Sequence, residues 1–313
     1  MTDIIRRSDT DTSVIRDELI AGLRAPSATT SPKYLYDALG SRLFEAICEL
    51  PEYYPTRTEA AIFERHGAAI SGSVGKGATL SDLGAGNCAK AARLFPLLAP
   101  AQYVPIDISA DFLHAAVGPL QRQFPAIDML ALGMDFSTAL DLPPAVSKQR
   151  RLFFYPGSSI GNFHPDDALA FLRRLREADG DLLIGVDLVK DHALLNAAYD
   201  DALGVTASFN LNLLNHLNRL LDADFRLREW RHRGCFNPQQ SRIEMHLEAR
   251  RDTVVRWPGG ERRFGEGERI HTENSYKYTP DTFAGLLREA AYQIAHRWTD
   301  ERGWFMVCHA RRS

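Results

Sequence analysis

Between residues 76 and 190, five short apolar runs alternate with helical patterns, and no other feature of the chain constrains its fold as tightly. The runs are "ATLSDLG", "QYVPIDIS", "DMLALGMDF", "RLFFYPGSS" and "DLLIGVDLV", all rich in β-branched and aromatic residues. Between them "KAARLFPLLA", "ADFLHAAVGPLQRQF" and "DDALAFLRRLREA" have amphipathic helical spacing, and a short polar connection precedes the fourth run. Strands that are apolar throughout belong to a parallel sheet covered on both faces. The expectation is a doubly wound α/β core whose ligand sits at the carboxyl ends of its strands.

After Lys190 the pattern changes. "NLLNHLNRLLDADF" sets Leu213, Leu214, Leu217, Leu220 and Leu221 on one helical face, and "RIEMHLEARRDTVVR" alternates Ile243, Met245, Leu247 and Ala249 with polar residues. That alternation marks an antiparallel strand with one wet face, and the turn cluster in "CFNPQQSRIEM" predicts a hairpin within residues 225–256. A second, α+β domain is therefore expected. The helix "TPDTFAGLLREAAY" follows, and "QIAHRWTDERGWFMVCHARR" ends the chain as two extended runs around a polar turn.

At 313 residues and 45% hydrophobic, the chain can bury a large core. Its net charge of -3 arises from interspersed charges of both signs, which argues against nucleic acid and for a small-molecule ligand. Cys48, Cys88, Cys235 and Cys308 lie far apart without metal-ligand spacing, so reduced structural thiols and no metal are expected. With no signal-type segment and no long apolar run, the reading is a soluble, cytoplasmic protein without membrane contact, and a monomer is favoured.

In "LSDLGAGNCAKAARLF", Gly84 and Gly86 have no Cβ to obstruct a ligand or to forbid positive φ. A dinucleotide fingerprint would place a third glycine at residue 89, which is alanine. Asp107 ends the second strand, where a carboxylate can accept both hydroxyls of a ribose, as nicotinamide dinucleotides and S-adenosyl-L-methionine (SAM) alike require. Lys90, on the first helical turn, is placed to meet a carboxylate, which SAM carries and NAD lacks; otherwise it is a solvated lysine. Asp135 and Phe136 end the third strand and can receive an adenine amino group and border the base. Taken alone they read as a cap and a core aromatic.

"LPEYYPTRTE" (50–59), "GSSIGNF" (157–163), "DLVKD" (187–191) and "HTENSYKY" (271–278) together resemble the histidine-specific SAM-dependent methyltransferase family, from about Ser31 to the C-terminus. The resemblance implies a seven-stranded, Rossmann-like methyltransferase core closed by a terminal hairpin, a feature NAD-binding domains usually lack. It divides the chain into a SAM-binding core, residues 59–191 and 276–313, and a substrate-binding domain, residues 1–58 and 192–275. It implies trimethylation of the α-amine of L-histidine to hercynine, in ergothioneine biosynthesis, with SAM as co-substrate.

Carried over by position, the resemblance assigns Gly84, Gly86, Lys90, Asp107, Asp135 and Phe136 to SAM and matches Tyr36 to a tyrosine that closes over it. Asn162 and Tyr199, the catalytic pair, hold the amino and carboxylate groups of the substrate, while Tyr54, Met245, Glu273 and Ser275 line its side-chain pocket. Core packing by the tyrosines and Met245, and turn formation by Asn162, are the alternatives. Asn274 departs from the family's branched aliphatic residue between Glu273 and Ser275, and on a strand it points away from them. Rival readings are a methyltransferase for tryptophan or another aromatic amino acid, an NAD-binding oxidoreductase, and a non-catalytic SAM-binding protein.

Overall fold

The computed structural model describes Ile4–Arg6, as backbone, and residues 12–313. The chain divides into two compact units, one of Met1–Ser8, Pro55–Val189 and Lys277–Ser313, the other of Asp9–Tyr54 and Lys190–Tyr276.

The first unit is built on one sheet whose strand order is Ile4–Arg6, Ala131–Gly133, Gln102–Asp107, Thr79–Leu83, Arg151–Tyr155, Asp181–Asp187, Phe305–Arg312 and Tyr292–Thr299, with Asp128–Met129 also paired to Gln102–Asp107. The first six run parallel; Phe305–Arg312 is antiparallel to both of its neighbours. Neighbouring residues bury on opposite faces, Phe153 and Leu182 on one and Phe154 and Leu183 on the other. Phe171 and Leu172 of helix Pro165–Glu177 and Phe283 and Leu287 of helix Pro280–Glu289 cover the first face. The other is covered by Ile62 and Ile70 of helix Tyr54–Val74 and by Leu113 and Val117 of helix Ala110–Gln123. The α/β doubly wound core is thus present, with continuous apolar strands because both faces are dry.

Two details differ from expectation. The nine strands exceed the seven because Ile4–Arg6 and Asp128–Met129 also pair; Ile4–Arg6, assigned by sequence to the other domain, lies against Ala131–Gly133 and satisfies backbone groups on what would be an open edge. Three residues are too short a run to show a period. The single helix expected over "KAARLFPLLA" is two, Ala89–Ala92 and Phe95–Leu98. Pro96 can give no N–H to Ala92, and its ring opposes that carbonyl, so the first helix stops.

The second unit carries a four-stranded sheet in the order Ala28–Thr29, Arg269–Tyr276, Arg242–Ala249 and Trp230–Asn237. The expected hairpin is Trp230–Asn237 with Arg242–Ala249; a second hairpin, Thr253–Trp257 with Gly260–Phe264, forms its own two-stranded sheet. Helix Val205–Leu221 buries Phe209, Leu213, Leu214, Leu217 and Leu221, while Leu220 is only half-buried. Its start is fixed by Asp201, whose carboxylate accepts from the N–H groups of Val205 (3.0 Å) and Thr206 (2.8 Å). Among the described residues no helix is long and apolar enough to cross a membrane.

Candidate active site

In the first unit the expected cofactor residues gather at the carboxyl ends of adjacent strands. Strand Thr79–Leu83 runs into a turn in which Gly84 (φ 71°) and Gly86 (φ 52°) are left-handed. A Cβ on Gly86 would meet no protein atom within 4 Å, so its backbone angle, not crowding by the chain, is what calls for glycine. The turn is tied to the next strand, where Ile106 O accepts from Gly84 N (2.9 Å) and Ala85 N (3.1 Å). Asp107 completes it, accepting from Gly86 N with Oδ2 and from Ser109 N with Oδ1, each at 2.9 Å. Burial pushes its carboxyl upward, opposed by the Ser109 and Gly86 bonds. A carboxylate has about four lone-pair sites, so both oxygens keep capacity for a ribose hydroxyl.

Asp135 follows strand Ala131–Gly133, its Oδ1 accepting from the backbone N–H and the hydroxyl of Ser137. Phe136 packs edge-on against Tyr155 at 5.9 Å and tilted against Phe171 at 5.9 Å. Phe136 is thus packed as a core aromatic, whereas Asp135 ties a local turn with no helix following it, and both side chains stay only partly buried. Lys90 keeps 38% of its side chain exposed, but its ammonium donates at 2.8 Å to Glu59, a buried carboxylate that sequence reading missed. Glu59 sits three residues before the buried Ile62 on one helix, and a carboxylate at a core-face position was the available signal. Asn162 closes the 3-10 turn Ser159–Asn162 beyond strand Arg151–Tyr155 and is half-buried.

Beneath the turn, Asp82 is buried and receives the Tyr103 hydroxyl at 2.7 Å. Its carboxyl is pushed up to about 7 by burial, with Asp107 adding to the shift and the Tyr103 bond opposing it. The folded chain holds this proton until about pH 7, whereas the unfolded chain releases it near the ordinary 3.8. Stability should therefore fall as pH rises through that window, by on the order of a few kcal/mol, and level off above it. Urea unfolding at a series of pH values checks this; Asp82→Asn should flatten that part of the slope, and an unchanged slope would show that Asp82 does not cause it. Cys88, whose thiol burial raises to about 12, is left-handed (φ 60°) and inert by burial.

The second unit holds the expected substrate residues other than Asn162. On paired strands Met245 lies opposite Glu273 and Ile243 opposite Ser275, so all four share one face, and Met245, Glu273 and Ser275 are buried. Asn274 pairs with Glu244 on the other face, as the strand period requires. Tyr199, the last residue of helix His192–Tyr199, shares a 2.9 Å hydrogen bond between its hydroxyl and Ser275 Oγ. Its carbonyl accepts from His232 Nε2 at 2.8 Å, and Asn210 Nδ2 lies 2.9 Å from His232 Nδ1, which fixes the imidazole. Gly234 admits this helix end, since a Cβ there would stand 2.4 Å from Tyr199 O.

Tyr53, which sequence reading passed over for Tyr54, packs edge-on against Tyr199 at 5.9 Å, and burial raises its phenol well above the ordinary value. Tyr54 is 1% exposed, its hydroxyl accepting from Lys190 Nζ at 2.8 Å with that ammonium 4.5 Å from its ring centre. Tyr36 packs edge-on against Phe44 and Phe209, each at 5.5 Å, in the second unit rather than with the other cofactor candidates.

Over residues 15–312 the sequence matches the family of histidine-specific, SAM-dependent methyltransferases. The chain belongs to this family. The methyltransferase is 40% identical over 314 residues to the histidine N-alpha-methyltransferase of Mycolicibacterium smegmatis, covering 97% of each chain. It is 38% identical over 301 residues to that of Mycobacterium tuberculosis, covering 93% of this chain and 92% of the relative. It is also 31% identical to the ergothioneine biosynthesis protein 1 of Neurospora crassa over 89% of this chain and 33% of that longer protein. The methyltransferase uses SAM.

The paired acids and left-handed glycines at the strand ends fit such a nucleoside. Asp107→Ala should remove charge-assisted hydrogen bonds worth about 1.5–3 kcal/mol, weakening SAM binding roughly tenfold to a hundredfold. Calorimetric titration of the variant checks this, and unchanged affinity would take Asp107 out of the site.

Proposed function

We propose that the enzyme transfers methyl groups from SAM to the α-amine of L-histidine and continues to the trimethylated product, hercynine, as a step of ergothioneine biosynthesis. The observation that carries the choice of histidine is the buried face on which Glu273, Met245 and Ser275 lie together, a carboxylate beside a hydroxyl rather than an all-carbon surface. A carboxylate beside a hydroxyl favours a ring that can donate a hydrogen bond or carry positive charge over an all-carbon side chain. The near full-length relatives that carry the histidine N-alpha-methyltransferase name point the same way.

In this reading the residues assigned to the methyl donor lie in the first unit apart from Tyr36, and those assigned to the acceptor in the second apart from Asn162. Asp107 receives the ribose hydroxyls, Asp135 and Phe136 the adenine, Lys90 the carboxylate of the donor, and Tyr36 covers it. SAM supplies an electrophilic methyl on a sulfonium. What the chain must do is orient and desolvate the amine, because an in-line displacement gains most from alignment. The reference pKa of an α-amine is near 8, so forming the neutral nucleophile costs little and no dedicated strong base is required. Asn162 orients the amine through its side-chain carbonyl and donates from its amide to the substrate carboxylate. Tyr199, held in one position by Ser275 and His232, supplies a further donor. Tyr54 and Met245 complete the side-chain pocket.

Gripping the ring and carboxylate rather than the nitrogen lets the amine turn as methyls accumulate. In this reading the protein works in the cytoplasm, as a monomer, on a small molecule. Titration with S-adenosylhomocysteine, NAD, histidine and tryptophan tests the reading: the first and third should bind, and binding of tryptophan in place of histidine would overturn the substrate assignment.

A further inference from the structure

Glu59, at the cofactor end of the first unit, has no part in the assignments above. Its side chain is 2% exposed, and each oxygen has a separate duty: Oε1 accepts from Gly157 N and Oε2 from Lys90 Nζ, both at 2.8 Å. The sheet makes room for it, because a Cβ on Gly185 would stand 2.1 Å from Oε1. Gly157 is left-handed (φ 76°), and a Cβ on it would stand 2.8 Å from the Lys90 ammonium. Gly185 within a strand and Gly157 in the turn after its neighbour thus admit one buried carboxylate and the lysine it holds.

We infer that Glu59 is a positioning residue of the cofactor site, fixing the Lys90 ammonium so that its remaining N–H groups meet the amino-acid carboxylate of SAM. An ammonium has three donors and Glu59 takes one, leaving two. A lysine on a four-carbon stem has more rotamer freedom than almost any other side chain, and ordering it before the ligand arrives removes that cost from binding. The same carboxylate holds Gly157, which opens the loop to Asn162, so the loop and the lysine are set by a single group. The inference rests on the assignment of Lys90 to the carboxylate of the donor.

The test compares two probes, S-adenosylhomocysteine, which carries that carboxylate, and 5′-methylthioadenosine, which lacks it. Glu59→Gln keeps an acceptor for Gly157 but turns an amide toward the ammonium. It should raise the Kd of S-adenosylhomocysteine about tenfold, the size of one lost charge-assisted contact, and leave that of methylthioadenosine unchanged. Glu59→Asp, charged but too short to reach both partners, should do the same and serves if the glutamine variant folds poorly. Lys90→Met should show the same selectivity, and Glu59→Gln added to it should have no further effect. If Lys90→Met loosens S-adenosylhomocysteine but the Glu59 variants do not, the Glu59 proposal is overturned and the Lys90 assignment stands. If neither loosens it, the Lys90 assignment falls and takes the proposal with it. Equal loosening of both probes by the Glu59 variants also overturns the proposal, since that is the mark of a merely structural role.

Discussion

Lys277→Met is expected to lose about 3–5 kcal/mol of stability, because it removes the ammonium that pairs with the buried Asp187 carboxylate. The two side chains form a 2.8 Å ion pair and both are fully buried. The segments that carry them are stitched together within the first unit: Tyr278 N donates to Asp187 O at 3.1 Å, Val189 N to Tyr278 O at 2.9 Å, and Ser158 Oγ accepts from Asp187 N at 2.9 Å. None of these backbone bonds needs the ion pair, so the penalty should come from the loss of the ammonium beside a buried charge. Replacing both partners, Asp187→Leu with Lys277→Met, should cost much less than the sum of the two single changes, since an apolar pair needs no solvation. Urea unfolding of the three variants measures the coupling. Additive losses would mean that the two side chains act separately, and the account of this junction would be wrong.

The second large effect is on specificity. Glu273→Ala should cost histidine about 2 kcal/mol or more in kcat/KM, since a partner that accepts from or pairs with the imidazole is lost, while weak activity on tryptophan holds or rises. Imidazole can donate and can carry charge near neutral pH, whereas indole offers one donor at a different distance and needs more room. Met245 lies opposite Glu273 in the strand register, so adding Met245→Val should enlarge the same wall and push the preference further. Measuring kcat/KM for both amino acids in the wild type, the single variant and the double variant decides the matter. Equal falls for histidine and tryptophan would show that Glu273 supports the fold instead.

The parts of this fold that were legible in the sequence are those with a local signature. Runs such as "RLFFY" and "DLLIGVD" are apolar between their ends because the strands they form bury both faces, and the alternation from Ile243 to Ala249 is visible because that sheet has one wetter side. Asp107 could be placed at a strand end because the strand itself was recognisable. Pro96 carried the break in the helix after the glycine turn, but the apolar spacing around it outweighed the proline in the reading. Ile4–Arg6 has no such signature; its place depends on an edge offered by residues some 125 positions later, as the pairing of Ile4 with Ala131 shows.

At the candidate site, residue types were legible and partnerships were not. Lys90 could be picked out as a cation on the first helical turn, but its bond to Glu59 joins residues 31 apart through tertiary structure. Asp82 reads as one more acid before a glycine; only its burial against Tyr103 raises its carboxyl toward neutrality. Tyr53 and Tyr54 are adjacent and identical in type, and which of them faces Tyr199 depends on where the helix beginning at Tyr54 starts. The family pattern singled out Tyr54, whereas the structure puts Tyr53 against Tyr199 and Tyr54 against Lys190.

The central claim is that this methyltransferase acts on the α-amine of histidine. Incubating the purified chain with SAM and an equimolar mixture of L-histidine and L-tryptophan, and following product masses over time, tests it most directly. Histidine should gain one, two and then three methyl groups and end as hercynine, with tryptophan left largely unmodified. Methylated tryptophan accumulating while histidine stays unmodified would contradict it.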